Sequence, residues 1–186
     1  VLVCVPDGTQ AEILKTLDSG AVGVIVPHVA TPEKARDIAK WSRFGHGGRG
    51  YAGSHRWAGF ATRKMPDILA QSEDETIVIA QIEEPEGVDA IDDIAAAEGL
   101  DGLFVGPADL AVCMGLTDTS APEVMDAMAK VGAAAARHDC CAMTFVGSTD
   151  QIPALQERGL NMFFIGSEQS FMLVEARRAA EAAHGN

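Results

Sequence analysis

Six short, largely apolar runs punctuate the chain: 1–5, 22–26, 76–82, 102–105, 141–145 and 162–165. Most lack the strict apolar–polar alternation of a half-solvated strand, so they read as strands of a parallel sheet covered on both faces. Stretches of helical period separate them. The first covers 9–17 and stops near Gly20. The second opens with Thr31 at the N-cap and Pro32 at the first helical position and runs to about Trp41. Further helices are predicted over 86–98, 121–137, 148–157 and 169–183. Residues 43–75 break the rhythm. They contain Gly45-His46-Gly47-Gly48-Arg49-Gly50 and His55-Arg56-Trp57, and a connection of that length in a small domain is expected to be functional or mobile.

Strand–helix alternation fits either a doubly wound sheet or a barrel. A doubly wound sheet gathers its site at one switch point. Here polar residues recur at most strand ends: Gln81 and Glu83, Asp109, Ser148, Ser167 and Glu168. That distribution favours a TIM-type (β/α)8 barrel, whose chemistry lies at the C-terminal ends of its strands. Six strands starting at residue 1 are two short of a full barrel. The expectation is an α/β chain whose residues 1–186 form a single partial barrel domain lacking its first two β-α units, with an exposed sheet edge covered by other residues or other chains. A homo-oligomer follows, with the last helix, 169–183, as the surface that packs on a neighbour.

Two strand ends carry the chemistry. The runs Gln81-Ile82-Glu83-Glu84-Pro85-Glu86-Gly87 and Phe104-Val105-Gly106-Pro107-Ala108-Asp109-Leu110 each pass from an apolar strand to a carboxylate, with one helix-length stretch between them. Two acids at the same ends of parallel strands, with little else beside them, suit a hard divalent cation that keeps positions open for substrate and water. Gln81 shares the face of Glu83, two residues on. Its amide either bonds a substrate oxygen or fills an interior layer. Backbone N–H groups at Ala108 and Asp109 open a helix and suit a carboxylate. Gly147-Ser148 and Gly166-Ser167 read as phosphate cradles or, more simply, as helix N-caps. Arg49 and Arg56 are either anion-binding residues of a lid or a solvated loop. His28, after Pro27 at a strand end, is either a base or structural.

Composition excludes more than it adds. The chain has 186 residues, 47% of them hydrophobic, and a formal charge of −13. No basic stripe exists for a nucleic-acid backbone, and no apolar run approaches the roughly 18 residues of a membrane span. Cys4, Cys113, Cys140 and Cys141 show no metal-binding spacing, so reduced thiols in a cytoplasmic protein are expected.

Several segments together resemble the HpcH/HpaI aldolase family: Val24-Ile25-Val26-Pro27, Gly48-Arg49-Gly50, Gln81-Ile82-Glu83, the stretch from Gly102 to Leu110 with Met114-Gly115-Leu116, and Phe164-Ile165-Gly166-Ser167. The resemblance implies a barrel related to the citrate lyase β-subunit and class II aldolase chemistry on 4-hydroxy-2-oxo acids, giving pyruvate and an aldehyde. It implies a Mg²⁺ or Mn²⁺ ion, with Co²⁺ as a further candidate, held by Glu83 and Asp109. A pyruvate-type 2-oxo acid would be held by Gln81 and the backbone of Ala108 and Asp109. By spacing, the family's acid that tunes a catalytic histidine falls on Asp18, at a helix C-terminus facing away from a barrel's site; that histidine lies upstream of this segment. Where the family has an arginine at a strand end, this chain reads Val3-Cys4-Val5-Pro6. A thiol lacks the charge and fork of a guanidinium, which leaves open a non-catalytic metal- or oxo-acid-binding homologue. A citrate-lyase-type CoA-ester lyase is a third reading, disfavoured by the pairing of Gln-Ile-Glu with Gly-Pro-Ala-Asp.

Overall fold

In the computed structural model, which describes residues 1–185, all six expected strands form. They are β1 (Leu2–Cys4), β2 (Gly23–Val26), β3 (Ile77–Ile82), β4 (Gly102–Val105), β5 (Cys141–Val146) and β6 (Met162–Ile165). They make one sheet in sequential order, with every neighbouring pair parallel. A sequential order contains no reversal, so the doubly wound alternative, which needs one, is excluded. The sheet curls as an open half-barrel. Phe104 of β4 and Phe164 of β6 meet edge to face at 5.4 Å across the intervening β5.

The helices are α1 (Gln10–Asp18), α2 (Pro32–Ser42), α3 (Met65–Glu75), α4 (Pro85–Asp89), α5 (Ile91–Ala95), α6 (Pro107–Cys113), α7 (Pro122–Arg137), α8 (Ile152–Gln156) and α9 (Glu168–His184). One strand face carries Val24, Val26, Val78, Ala80, Ile82, Leu103 and Val105 against the helices in the main core. The opposite, concave face carries Ile25, Ile79 and Met143, flanked by Leu2, Ile77, Phe104 and Phe164. The apolar runs therefore do have two buried faces. The second face is the sheet's own interior, not another helix layer.

Three elements depart from expectation. The stretch 86–98 is two helices, not one. The break falls at Ala90, whose N–H closes α4 on the Glu86 carbonyl and whose own carbonyl accepts from Ile94. Inside the segment read as a loop, Met65–Glu75 is helical, anchored by buried Ile68 and Ser72. The rest of that segment builds a small core of Trp57, Ala58 and Ile68 against Phe44. Pro107–Cys113 is also helical. It follows β4 directly, with Pro107 in the first turn, where its missing N–H costs nothing.

Helix α9 is distinctive. None of its residues is buried, and Phe171, Met172, Leu173 and Val174 all face solvent. It was the helix expected to pack on a neighbour.

Candidate functional site

Strand β3 delivers Gln81 and Glu83 to the C-terminal end of the sheet. Ile79 and Gln81 share the concave face, and Glu83 follows at the same period, just past the strand. Glu83 is only 3% exposed. Its Oε1 accepts the backbone N–H of His28 at 2.9 Å, and the His28 ring Nδ1 lies 3.0 Å away. Its Oε2 accepts from the Gln81 side-chain amide. Among the described residues no lysine or arginine pairs with it. A carboxylate withdrawn from water with only neutral donors and one imidazole around it lacks most of the compensation that burial requires.

The β4–α6 turn lies directly against this carboxylate. A Cβ placed on Gly106 would sit 3.1 Å from Glu83 Oε2 and 3.3 Å from Gln81 Nε2. A side chain there would make Glu83 and Gln81 give way by a few tenths of an ångström. Gly106 N–H reaches back to the Ile82 carbonyl at 3.1 Å, tying the two strand ends together. Asp109 stands three residues on, exposed, in the first turn of α6, where the helix dipole favours an acid. Gly106 offers no side-chain cap, and the first internal bond runs from Leu110 to Gly106. The exposed N–H groups of Ala108 and Asp109 therefore have no helical partner. A cavity of about 500 Å³ opens beside this turn, between Pro107, Ala108, Thr119, Ser120, Phe145 and Gly147.

Cys4 ends β1 and joins the cluster. Its Sγ lies 3.6 Å from Gln81 Oε1. Partial burial pushes the thiol pKa up, and the charge on Glu83 pushes it further the same way. Cys4 is thus a neutral thiol near pH 7, where the resemblance calls for a cation.

Asp18 is not part of this cluster. It ends α1, at the end of the sheet where β2 begins, since Val22 N–H bonds the Val1 carbonyl just beyond. Arg49 donates to it from Nε at 3.2 Å and from Nη2 at 2.6 Å, and His55 Nε2 lies 3.5 Å off. Arg49 is buried, with its guanidinium 4.4 Å from the Phe44 ring and 5.6 Å from Trp57. Neither the lid nor the solvated-loop expectation holds for Arg49. Its charge is spent on Asp18, 31 residues earlier in the chain. Ser148 and Ser167 both serve as helix N-caps, accepting from Asp150 and Ser170, as the simpler of the two readings expected. His28 proves to be the residue that grips Glu83. The sequence signal for this is Pro27-His28 directly after a buried strand, which marks a tight strand-end turn.

Among the described residues no group of three or more His, Cys, Asp or Glu side chains is placed to hold a metal ion, and no helix is long and apolar enough to cross a membrane.

The geometry has counterparts. A 5-keto-4-deoxy-D-glucarate aldolase from Klebsiella pneumoniae is 41% identical over 139 residues, which is 74% of this chain and 54% of that protein. The chain thus spans about half the length of the curated relatives it matches. The crystal structure of an HpcH/HpaI aldolase/citrate lyase family protein from Burkholderia cenocepacia superposes with a TM-score of 0.91 at 34% identity, covering 98% of this chain and 73% of that one. An HpcH/HpaI aldolase from Desulfitobacterium hafniense gives 0.88 at 27% identity, covering 98% and 71%. The family model described as HpcH/HpaI aldolase/citrate lyase matches residues 2–173. That match takes in β1 to β6 with both strand-end motifs, and on it the chain belongs to the HpcH/HpaI aldolase/citrate lyase family.

Proposed function

We propose that this chain carries the metal-binding half of a class II aldolase that cleaves 4-hydroxy-2-oxo acids to pyruvate and an aldehyde, on a barrel of which it supplies six of eight β-α units. The observation that carries the reading is Glu83: a buried carboxylate that among the described residues meets no lysine or arginine, only the His28 imidazole, and is pressed against the turn that presents Asp109. The donor set is hard, two carboxylates and an amide, and fits Mg²⁺, Mn²⁺ or Co²⁺ with positions left for substrate and water. Glu83 and Asp109 would hold the ion. Bound there, it would supply a Lewis acid for the oxo acid's carbonyl. The chain's own groups do the rest. Gln81, already bonded to Glu83, holds that carboxylate's orientation and presents its amide to the substrate. The N–H groups of Ala108 and Asp109 receive the substrate carboxylate. The cavity beside Pro107 and Phe145 leaves room for the remainder of the molecule. The 5-keto-4-deoxy-D-glucarate aldolases among its relatives support an oxo-acid substrate.

One observation favours a second reading, a homologue that binds metal or oxo acid without turnover. The thiol of Cys4 is neutral where the resemblance calls for a cation, and the buried guanidinium of Arg49 is bound to Asp18. The deciding experiment supplies Mn²⁺ and a 4-hydroxy-2-oxo acid and follows pyruvate release with lactate dehydrogenase. Metal-dependent release that is lost in Glu83→Ala supports the aldolase. Mn²⁺ binding without release, in a form that includes the upstream histidine the resemblance implies, supports the second reading.

A further inference from the structure

Residue His28 is one of the few non-glycine residues with a left-handed backbone, at φ 55°. Histidine is among the non-glycine residues that enter this region more often than most, yet such a backbone is still uncommon and persists where surrounding contacts support it. Here the contacts are visible. Reversing the chain after Pro27 turns two successive N–H groups toward β3. The N–H of His28 reaches Glu83 Oε1 at 2.9 Å, and that of Val29 reaches the Gln81 carbonyl at 3.2 Å. The imidazole completes the grip. Its Nδ1 lies 3.0 Å from Glu83 Oε1 and 3.2 Å from Glu84 Oε1. Both partners are carboxylate oxygens, which only accept, so Nδ1 carries the proton. The rest of the ring is open to solvent, with the His28 side chain 67% exposed.

We propose that His28 is the positioning residue of the metal site, a role that rests on the aldolase reading above. Its backbone N–H falls on Oε1, the ring Nδ1 sits 3.0 Å from the same oxygen while donating to Glu84 Oε1, and Gln81 holds Oε2. The Glu83 carboxylate then cannot rotate about its terminal bond without breaking one of these contacts. Its Oε2 edge stays turned toward Gly106 and the turn that carries Asp109. The ring also bridges Glu83 to Glu84. That bond keeps the second carboxylate on His28 and prevents it from swinging in as a competing, misplaced ligand. Ligands fixed by outer partners bind metal more tightly than free ones, and loss of such a partner typically weakens affinity about 10- to 100-fold.

The test titrates Mn²⁺ alone into the chain and four variants by calorimetry, with thermal melts run in parallel. Asparagine tolerates the left-handed backbone and retains a side-chain N–H, so His28→Asn keeps affinity within a few-fold of wild type. In contrast, His28→Gly keeps the turn but loses the ring and weakens binding about 10-fold or more. His28→Ala weakens it at least as much. Equal affinity in wild type and His28→Gly, with Glu83→Ala still abolishing binding, overturns the positioning role and leaves the metal reading standing. Affinity losses that merely follow the fall in melting temperature also overturn it. Failure of the wild type to bind Mn²⁺ overturns both.

Discussion

Replacing Asp18 with alanine separates two incompatible roles for that residue, catalytic acid or structural clasp. Its carboxylate receives two bonds from a guanidinium whose side chain is fully buried, while Asp18 itself keeps 24% side-chain exposure. Burial pulls the Arg49 pKa down, and the bond to Asp18 pulls it back. The pair is therefore what makes the buried charge tolerable. Nη1 of Arg49 has no partner among the described residues, so the alanine variant would leave the whole guanidinium without one. Breaking a buried pair this way costs about 3–5 kcal/mol. The partial exposure of Asp18 lets water replace some of the loss, and stacking on Phe44 survives, so the lower end, about 3 kcal/mol, is expected. For a chain of this size each kcal/mol lowers the melting temperature by about 2–4 °C, giving a fall of about 6–12 °C. Thermal melts followed by circular dichroism measure it. The double variant Asp18→Leu with Arg49→Met should recover most of the loss, because an apolar pair carries no unpaired charge. A melt within about 1 °C of wild type, combined with loss of pyruvate release, would contradict the clasp and return Asp18 to the chemistry.

Other outcomes follow from the same geometry. Gly106→Val puts a side chain about 3 Å from Glu83 Oε2 at a backbone any residue adopts, so Mn²⁺ affinity measured by calorimetry should fall about 10-fold or more while the circular dichroism spectrum is retained. The unburied α9, with Phe171 to Val174 in solvent, predicts self-association; light scattering should give a mass above one chain, and Phe171→Glu with Val174→Glu should lower it. Cys4→Arg restores the cation that the resemblance implies at this strand end, and with the upstream histidine present it should raise metal-dependent pyruvate release measured through lactate dehydrogenase; high release before the substitution would show that another group supplies the charge.

The sheet was legible because its code is local: each apolar run and each strand-end acid can be read within about ten residues. The pairing of Gln81-Ile82-Glu83 with Gly106-Pro107-Ala108-Asp109 was legible for the same reason, one β-α step apart. What was not legible depended on distant partners. An arginine between two glycines reads as mobile, yet Arg49 is held by Asp18, 31 residues earlier. A lone histidine after a strand reads as incidental, yet His28 meets Glu83 across 55 residues. Helix α3 was obscured because glycine and arginine dominate the segment around it, while only Ile68 and Ser72 mark its buried side.

The central claim is that Glu83 and Asp109 hold one divalent cation between them, and Mn²⁺ titration of the wild type, Glu83→Ala and Asp109→Ala tests it most directly. The account predicts one ion per wild-type chain and no measurable binding in either variant, with all three proteins folded. Undiminished binding in either single variant would contradict it.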